Sequence, residues 1–231
     1  MDFDLTTIAY TASVWALPVL IAITLHEAAH GWVAWRLGDD TAYQLGRVTF
    51  NPLKHIDPVG TILLPVLMLL GSGGRMMFGF AKPVPVNFSR LFKPRRDMVL
   101  VALAGPLSNL LIALVATALI HATIYLDGDF REWVTINLVN ALWINLLLCV
   151  FNLIPLPPLD GGRVAVGLLP AAIAIRFARL ERFGFVILIG AIFVLPYVGE
   201  QFGIDLNIFR WLVGIPTEYL RGLILSLFGF N

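Results

Sequence analysis

The stretch "AITLHEAAHGWVAW" (residues 22–35) places two histidines and a glutamate inside an otherwise apolar run. An ionisable side chain surrounded by this much hydrocarbon is costly, so such a group indicates a functional site. On a helix, residues four positions apart share a face, and His26 and His30 can therefore direct their imidazoles at one point. The stretch predicts an apolar helix that carries chemistry through His26, Glu27 and His30.

The composition is that of a membrane protein. Of the 231 residues, 58% are hydrophobic and only 13% are charged, and the mean hydropathy is +0.84. About a quarter of the residues of a soluble domain are charged. The chain has more apolar surface than one water-soluble core could hide, which predicts an all-α polytopic membrane protein. No basic stripe stands apart from the membrane-flanking positions, so no nucleic-acid partner is expected.

A transmembrane helix needs about 20 predominantly apolar residues, and the candidate spans are roughly 7–37, 98–125, 133–154 and 183–198. Residues 59–70 are too short to span comfortably and contain Pro65, which favours a re-entrant or interfacial segment over a tilted span. Residues 207–230 carry charges and a proline, so they are either interfacial or a weak final span. We expect about four to six transmembrane segments in all.

The distribution of basic residues predicts the sidedness. Thirteen of the 16 basic residues follow either the first or the third of these strong segments. The connection "LDGDFREW" (residues 126–133), between the second and third segments, has one arginine among three acids. By the positive-inside rule both basic groups are cytoplasmic and the acidic N-terminus lies outside. This requires residues 59–70 to return to the face that they left.

Two stretches flanking the membrane do not look helical. Residues 41–51 and 80–87 show alternation and proline spacing that predict a small membrane-associated β element at the cytoplasmic interface. Residues 171–183 place three arginines at three-residue spacing beside an apolar face, which predicts a helix in the headgroup plane. We therefore expect a single membrane-embedded domain of residues 1–231, with a core of 7–170 and accessory segments in 171–231.

Two histidines on one helical face are half of a tetrahedral zinc site, and an adjacent glutamate can hold the water of such a site without being a ligand. The alternative is two core histidines bonded to neighbouring helices, with Glu27 facing a wet cavity. A catalytic zinc needs three protein ligands and an open position. Of the donors on the correct side of the membrane, His55, Asp57 and Asp160 are the candidates.

Asp160 stands in "FNLIPLPPLDGGR" (residues 151–163), where three prolines interrupt the helix and two glycines permit a sharp turn. A carboxylate on interrupted backbone at membrane depth must be buried in protein or line a cavity. Asp160 alone could be a cap or turn residue, but beside HEAAH on the same face it is favoured as the third ligand. His30 and His26 lie roughly 10 and 16 Å before the helix end near Leu37, which places this site inside the bilayer, nearer the cytoplasmic face.

The sequence resembles the site-2 proteases, a family of intramembrane zinc metallopeptidases. Their motif H-E-x-x-H is matched at residues 26–30, and N-x-x-P-x-x-x-L-D-G is matched at residues 152–161. Residues 46–61, 81–87 and 104–110 are similar to the compact prokaryotic branch of the family. The resemblance covers roughly residues 21–167, and no PDZ or CBS domain is expected in the chain.

The resemblance implies one catalytic Zn²⁺ bound by His26, His30 and Asp160, with Glu27 as general base and acid. It implies that Asn152 positions the substrate or stabilises the oxyanion. The expected activity is that of a zinc metalloendopeptidase of the cell membrane, with its active site towards the cytoplasm. It would cut within or near the transmembrane segment of a single-span protein in the lipid bilayer, for example an anti-sigma factor or another membrane-anchored regulator. Residues 46–51 and 81–87 would hold the substrate extended by strand addition.

The rival function is that of a non-proteolytic zinc-binding scaffold or a metal transporter. A transporter should show polar residues stepping across the bilayer, and residues 98–125 offer little beyond Asn109, Thr117 and His121. A scaffold has no need of Glu27. For His55 and Asp57 two roles stay open, a structural turn before Pro58 or a secondary role near the site.

Overall fold

Long apolar helices dominate the computed structural model, which describes residues 5–64, 66–67, 79 and 81–230. The α-helices are α1 (Leu5–Arg36), α2 (Thr41–Gln44), α3 (Pro94–Ala122), α4 (Gly128–Asn152), α5 (Asp160–Leu168), α6 (Ala171–Ala178), α7 (Glu181–Ile189), α8 (Leu195–Phe202) and α9 (Ile215–Leu227). A π-helical turn, Gly190–Val194, joins α7 to α8, and another, Arg210–Gly214, leads into α9. Short helical turns occur at Pro52–Lys54, Pro58–Leu63, Phe88–Arg90 and Thr123–Tyr125.

Among the described residues, four helices are long and apolar enough to cross a membrane. They are Ala9–Arg36, Pro94–Tyr125, Gly128–Asn152 and Glu181–Phe202. Each coincides with one of the four strong apolar segments of the sequence, and the all-α, multi-pass prediction is confirmed. The helix ends differ from the ends of the predicted segments by at most five residues, in either direction, because hydropathy indicates where the lipid ends and not where the helix ends.

Helix α3 is the centre of the bundle, and it packs against α1, α4 and α5. Small residues make these contacts possible, since Ala22, Ala34 and Ala113 are fully buried. Between helices in lipid, packing and interhelical hydrogen bonds replace the hydrophobic driving force, and small side chains let the backbones approach closely. The fold therefore brings the middle of α1 directly onto the middle of α3.

The C-terminal segment, residues 207–230, packs against α4 and contacts α3 at its end. The Phe209 ring lies 6.2 Å from that of Phe151 at the end of α4. At the other end of the bundle, His121 Nε2 lies 2.8 Å from the Phe228 carbonyl. Between them, Ile224 is 4% exposed in a cluster with Leu142 of α4. The sequence is compatible with either an interfacial segment or a weak final span at residues 207–230. The contacts show that this segment contains a helix packed into the bundle.

The expected small sheet is not confirmed, because no strand occurs among the described residues. Thr41–Gln44 is a helical turn, so the extended structure predicted for residues 41–51 is wrong there. The physical reason is a turn before the helix, in which the Asp39 carboxylate accepts hydrogen bonds from the Thr41 amide and hydroxyl. Residues 81–87 are non-helical as expected, but they are held by separate hydrogen bonds to other elements. Phe80 lies outside the described residues.

The segment of residues 59–70 begins with a π-helical turn, Pro58–Leu63, started by the Asp57 carboxylate, which accepts from the amides of Val59 and Gly60. Its last three residues, 68–70, lie outside the described part, so the re-entrant path stays a prediction. Residues 171–183 were expected to form one helix, which is wrong. Helix α6 ends at Ala178, and α7 starts at Glu181. Gly184 of α7 packs directly on the Pro157 backbone, where a Cβ would clash. Helix α7 therefore lies against the proline-rich loop that precedes Asp160.

Candidate metal centre

Three predicted residues, two on α1 and one far along the chain on α5, meet at one buried point. The Nε2 atoms of His26 and His30 lie 3.0 Å apart. Asp160 Oδ2 lies 3.2 Å from each of them. All three side chains are buried, and among the described residues they are the one group of three or more potential ligands whose donor atoms converge. The structure thus forms a near-equilateral triangle of two nitrogens and one oxygen.

The outer nitrogen of each imidazole is already engaged. His26 Nδ1 lies 2.6 Å from Asn109 Oδ1, and His30 Nδ1 lies 2.7 Å from the Val101 carbonyl. Both partners are acceptors, so each Nδ1 carries the proton and donates it. Each Nε2 is then left with its lone pair directed at the triangle, which is the tautomer that a metal ligand needs.

Asp160 is placed by an unusually close packing of backbone. It is the first residue of α5, and Gly161 and Gly162 follow it. A Cβ on Gly161 would clash with the carbonyls of Leu153 and Ile154, and one on Gly162 would clash with the backbone at Pro157. Only glycine lets the proline-rich loop fold over the first turn of α5, and this turn aims the Asp160 carboxylate at the histidines.

The donor atoms fit a zinc ion. Zinc bonds of about 2.0–2.2 Å in a tetrahedron hold the ligand atoms about 3.3 Å apart, and the observed separations are 3.0–3.2 Å. Asp160 Oδ2 is buried without a hydrogen-bond donor. A buried carboxylate oxygen facing two nitrogen lone pairs needs a metal ion or a proton between them, and a metal ion can satisfy all three atoms at once. Two histidines and one carboxylate are also a known ligand set of catalytic zinc.

Glu27 stands beside the triangle without belonging to it. Its Oε2 accepts a hydrogen bond of 2.7 Å from the Val84 amide. A cavity of about 130 Å³ is bordered by Glu27, the three converging side chains and Asn152. This volume has room for several water molecules. The cavity therefore joins a carboxylate that can accept a proton to the point where the donor atoms converge.

The other predicted residues have definite positions. Asn152 lies at the cavity wall near the end of α4, and its Nδ2 donates to the Leu148 carbonyl. His55 is buried with its Nε2 3.1 Å from the Thr49 carbonyl. Asp57 caps the turn that follows it. Neither His55 nor Asp57 joins the converging group, and of the two roles left open by the sequence their contacts support the structural one.

Sequence reasoning missed the contribution of α3. Val101, Gly105 and Asn109 are spaced by four residues, so they form one stripe on the helix, and this stripe faces the two histidines. A Cβ on Gly105 would lie 2.5 Å from His26 Cε1 and 2.6 Å from its Nε2. The available signal was a Gly-Pro pair followed by an asparagine within an apolar run, "AGPLSNL", which indicates close backbone approach.

Comparison with known proteins adds an independent observation. The model of peptidase family M50 matches residues 121–196. YwhC of Bacillus subtilis, provisionally named a zinc metalloprotease, is 40% identical over 192 residues, which cover 78% of this chain and 80% of YwhC. Rip2 of Mycolicibacterium smegmatis, named in the same way, is 30% identical over 183 residues, covering 79% of this chain and 67% of Rip2.

Another relative matches a shorter part of the chain. MJ0611 of Methanocaldococcus jannaschii, also provisionally named a zinc metalloprotease, is 33% identical over 99 residues, covering 42% of this chain and 49% of MJ0611. No solved structure matches the chain significantly. The similarity to YwhC extends over most of both chains, so it concerns the whole helical bundle and not only a motif.

Proposed function

The chain belongs to peptidase family M50, the site-2 proteases, and on this premise we propose that it is an intramembrane zinc metalloendopeptidase. It would hydrolyse a peptide bond within or near the transmembrane segment of another membrane protein. The observation that carries the proposal is the buried triangle of His26, His30 and Asp160, with Glu27 on the wall of the same cavity.

The triangle would hold one zinc ion through two Nε2 atoms and one carboxylate oxygen. When bound, zinc supplies Lewis-acid chemistry that acidifies water and polarises the carbonyl of a peptide bond. Two of the three ligand-bearing residues, His26 and His30, are held on α1, and Asp160 on α5. The packing of both helices against α3 therefore determines the geometry of the site.

Glu27 is suited to move the proton. The Val84 amide bonds to one carboxylate oxygen, Oε2, and fixes the orientation of the group. The other oxygen, Oε1, is then available to take a proton from the attacking water and to return it to the leaving amine. Asn152 on the cavity wall uses Nδ2 to bond to Leu148. Its second amide proton can orient the carbonyl of the bond to be cut.

A transmembrane substrate must unwind before it can be cut, because a helix hides its peptide bonds. Residues 81–87 run beside the cavity, where Pro83, Val84 and Val86 form part of the lining. This extended piece is suited to hold an unwound substrate near Glu27. The positive-inside rule orients the cavity towards the cytoplasm, from which water would reach it. The substrate class is a single-span membrane protein, such as an anti-sigma factor or another membrane-anchored regulator.

The proposal is tested by cleavage of a helix-destabilised transmembrane peptide with purified protein in detergent. Glu27→Gln should keep its zinc and lose cleavage, because the amide cannot accept the proton. Glu200→Gln is the matched control, since Glu200 is an exposed glutamate on α8. It should cleave as the wild type does.

Undiminished cleavage by Glu27→Gln would contradict the role of Glu27. If the zinc-loaded wild type cleaved no transmembrane peptide but carried zinc across proteoliposome membranes, the protein would be a transporter. Zinc binding without either activity would indicate a scaffold.

A further inference from the structure

We propose that Asn109 is a positioning residue of the metal centre, which holds the ligand face of His26 and is itself held by Asn145. This role rests on the proposed function, in which His26 is a metal ligand. Neither asparagine belongs to the two motifs that identify the ligands. Both side chains are fully buried, in α3 and α4 respectively.

The carboxamide of Asn109 can face in one direction only. Its Nδ2 donates to the Ala22 carbonyl at 3.2 Å and to Asn145 Oδ1 at 2.8 Å. Rotating the amide by half a turn would set its oxygen against these two acceptors. Asn109 Oδ1 is therefore fixed at 2.6 Å from His26 Nδ1 and must accept the proton from it. The proton on Nδ1 keeps the lone pair of His26 on Nε2, facing His30 and Asp160.

Asn145 continues the same chain of hydrogen bonds. Its Nδ2 donates to the Ala141 carbonyl at 2.8 Å, which leaves its Oδ1 to accept from Asn109. Water does not compete at these fully buried positions, so each bond orients the next strongly. The bonds run from α4 through α3 to α1 and end at a ligand of the metal centre.

The two histidines are held in different ways. His30 Nδ1 donates to the backbone carbonyl of Val101, which no substitution removes. His26 Nδ1 depends on a side chain. A substitution at Asn109 should therefore loosen one ligand and leave the other two in place, so that zinc binding is weakened and not abolished.

The competing explanation is that Asn109 only joins helices, which is a common role of asparagine in membrane bundles. A purely structural residue would affect stability, and zinc binding would change only as far as the fold did. A positioning residue should affect zinc affinity separately from stability. An aspartate at this position distinguishes the two, because a carboxylate can still accept from His26 Nδ1 but cannot donate to Ala22.

The test uses the purified full-length protein in detergent. Zinc affinity is measured by competition with a chelator, and the Tm of the metal-free protein is measured in parallel. Asn109→Leu should bind zinc about 10–100-fold more weakly, the usual effect of removing the partner of a ligating histidine. Asn109→Asp should lower the Tm, because its carboxylate faces the Ala22 carbonyl, yet it should bind zinc with close to wild-type affinity.

Thr117→Val is the matched control. Thr117 is fully buried on the same helix, but its hydroxyl donates to the Ala113 carbonyl and has no link to the centre. Its zinc affinity should equal that of the wild type. Should Asn109→Leu fail to fold, Asn145→Leu removes the support and leaves Asn109 in place, and it should weaken zinc binding by a smaller factor.

Wild-type zinc affinity in the folded Asn109→Leu or Asn145→Leu protein would overturn the inference. The inference would also be overturned if Asn109→Leu and Asn109→Asp lost zinc affinity equally and in proportion to the fall in their Tm. Failure of the proposed function has a different signature, in which the wild type binds zinc, Asn109→Leu binds it weakly, and neither cleaves a transmembrane peptide. Cleavage that depends on Glu27, with zinc affinity insensitive to Asn109, would leave the function standing and remove the positioning role.

Discussion

A Cβ atom on Gly105 would lie 2.6 Å from Nε2 of His26. The Gly105 backbone thus forms one wall of the metal centre, in direct contact with the imidazoles of His26 and His30. No side chain larger than hydrogen fits there, because a Cβ atom essentially never comes within 3.0 Å of a non-bonded heavy atom. The geometry of the two histidine ligands therefore depends directly on how α3 packs against α1.

Gly105→Ala should displace both imidazoles and weaken zinc binding at least as much as the loss of a hydrogen-bond partner does, by about 10–100-fold. Chelator competition measures the change. Gly222→Ala is the matched control, because Gly222 is also helical but a Cβ there meets nothing within 4 Å. It should leave zinc affinity unchanged and stabilise α9 by up to about 1 kcal/mol. Full zinc affinity in Gly105→Ala would show that the ligands are not held against α3.

Asp39 should anchor the extended piece beside the cavity. It is fully buried, and its Oδ2 accepts a 2.6 Å hydrogen bond from the Asn87 amide. Both carboxylate oxygens of Asp39 accept hydrogen bonds, and Asp39→Asn replaces one of them with an NH2 group that cannot accept. The buried donor left without a partner should cost about 1–3 kcal/mol in the free energy of unfolding. Unfolding by a denaturing detergent provides the measurement.

The matched control for this change is Asp205→Asn. Asp205 also accepts from a backbone amide, that of Asn207, but its side chain is 50% exposed. The cost there should stay below about 1 kcal/mol. If both variants lost the same free energy, the anchoring of residues 81–87 by Asp39 would have no energetic support.

The C-terminal helix should contribute to the stability of the bundle. Ile224 is 4% exposed against α3 and α4, whereas its neighbour Leu223 is 47% exposed. Ile224→Ala should destabilise the protein by about 1–3 kcal/mol, mainly through the cavity it leaves, since the apolar side chain is equally well solvated by lipid. Leu223→Ala should have little effect in the same unfolding measurement. Equal effects would mean that α9 is not packed as the contacts show.

Much of the helical architecture could be predicted from the sequence. Residues 7–37 and 98–125 are long apolar runs, and helix formation in lipid follows from the need to satisfy every backbone group internally. The convergence of His26 and His30 follows from their spacing on one helix. The third ligand, Asp160, could be proposed because it follows a proline-interrupted helix in a stretch, residues 152–161, that matches N-x-x-P-x-x-x-L-D-G.

The remaining features depend on which helix faces which, and a single sequence does not show this. Asn109 could be recognised as a polar residue in a span, but its contact with His26 depends on the register of α3 against α1. The residues predicted to be extended at Thr41 instead form a helical turn, which the hydrogen bonds of Thr41 to the Asp39 carboxylate stabilise. The position of α9 depends on its packing along α4, because its charges obscure the hydropathy signal.

The central claim is that His26, His30 and Asp160 together hold one zinc ion. The most direct test is the zinc content and affinity of purified Asp160→Asn beside those of the wild type and Glu27→Gln. The structure predicts one zinc per chain in the wild type and in Glu27→Gln. In Asp160→Asn it predicts a loss of affinity larger than the roughly 10–100-fold effect of removing the partner of a ligand. Zinc bound to Asp160→Asn with wild-type affinity would contradict the account.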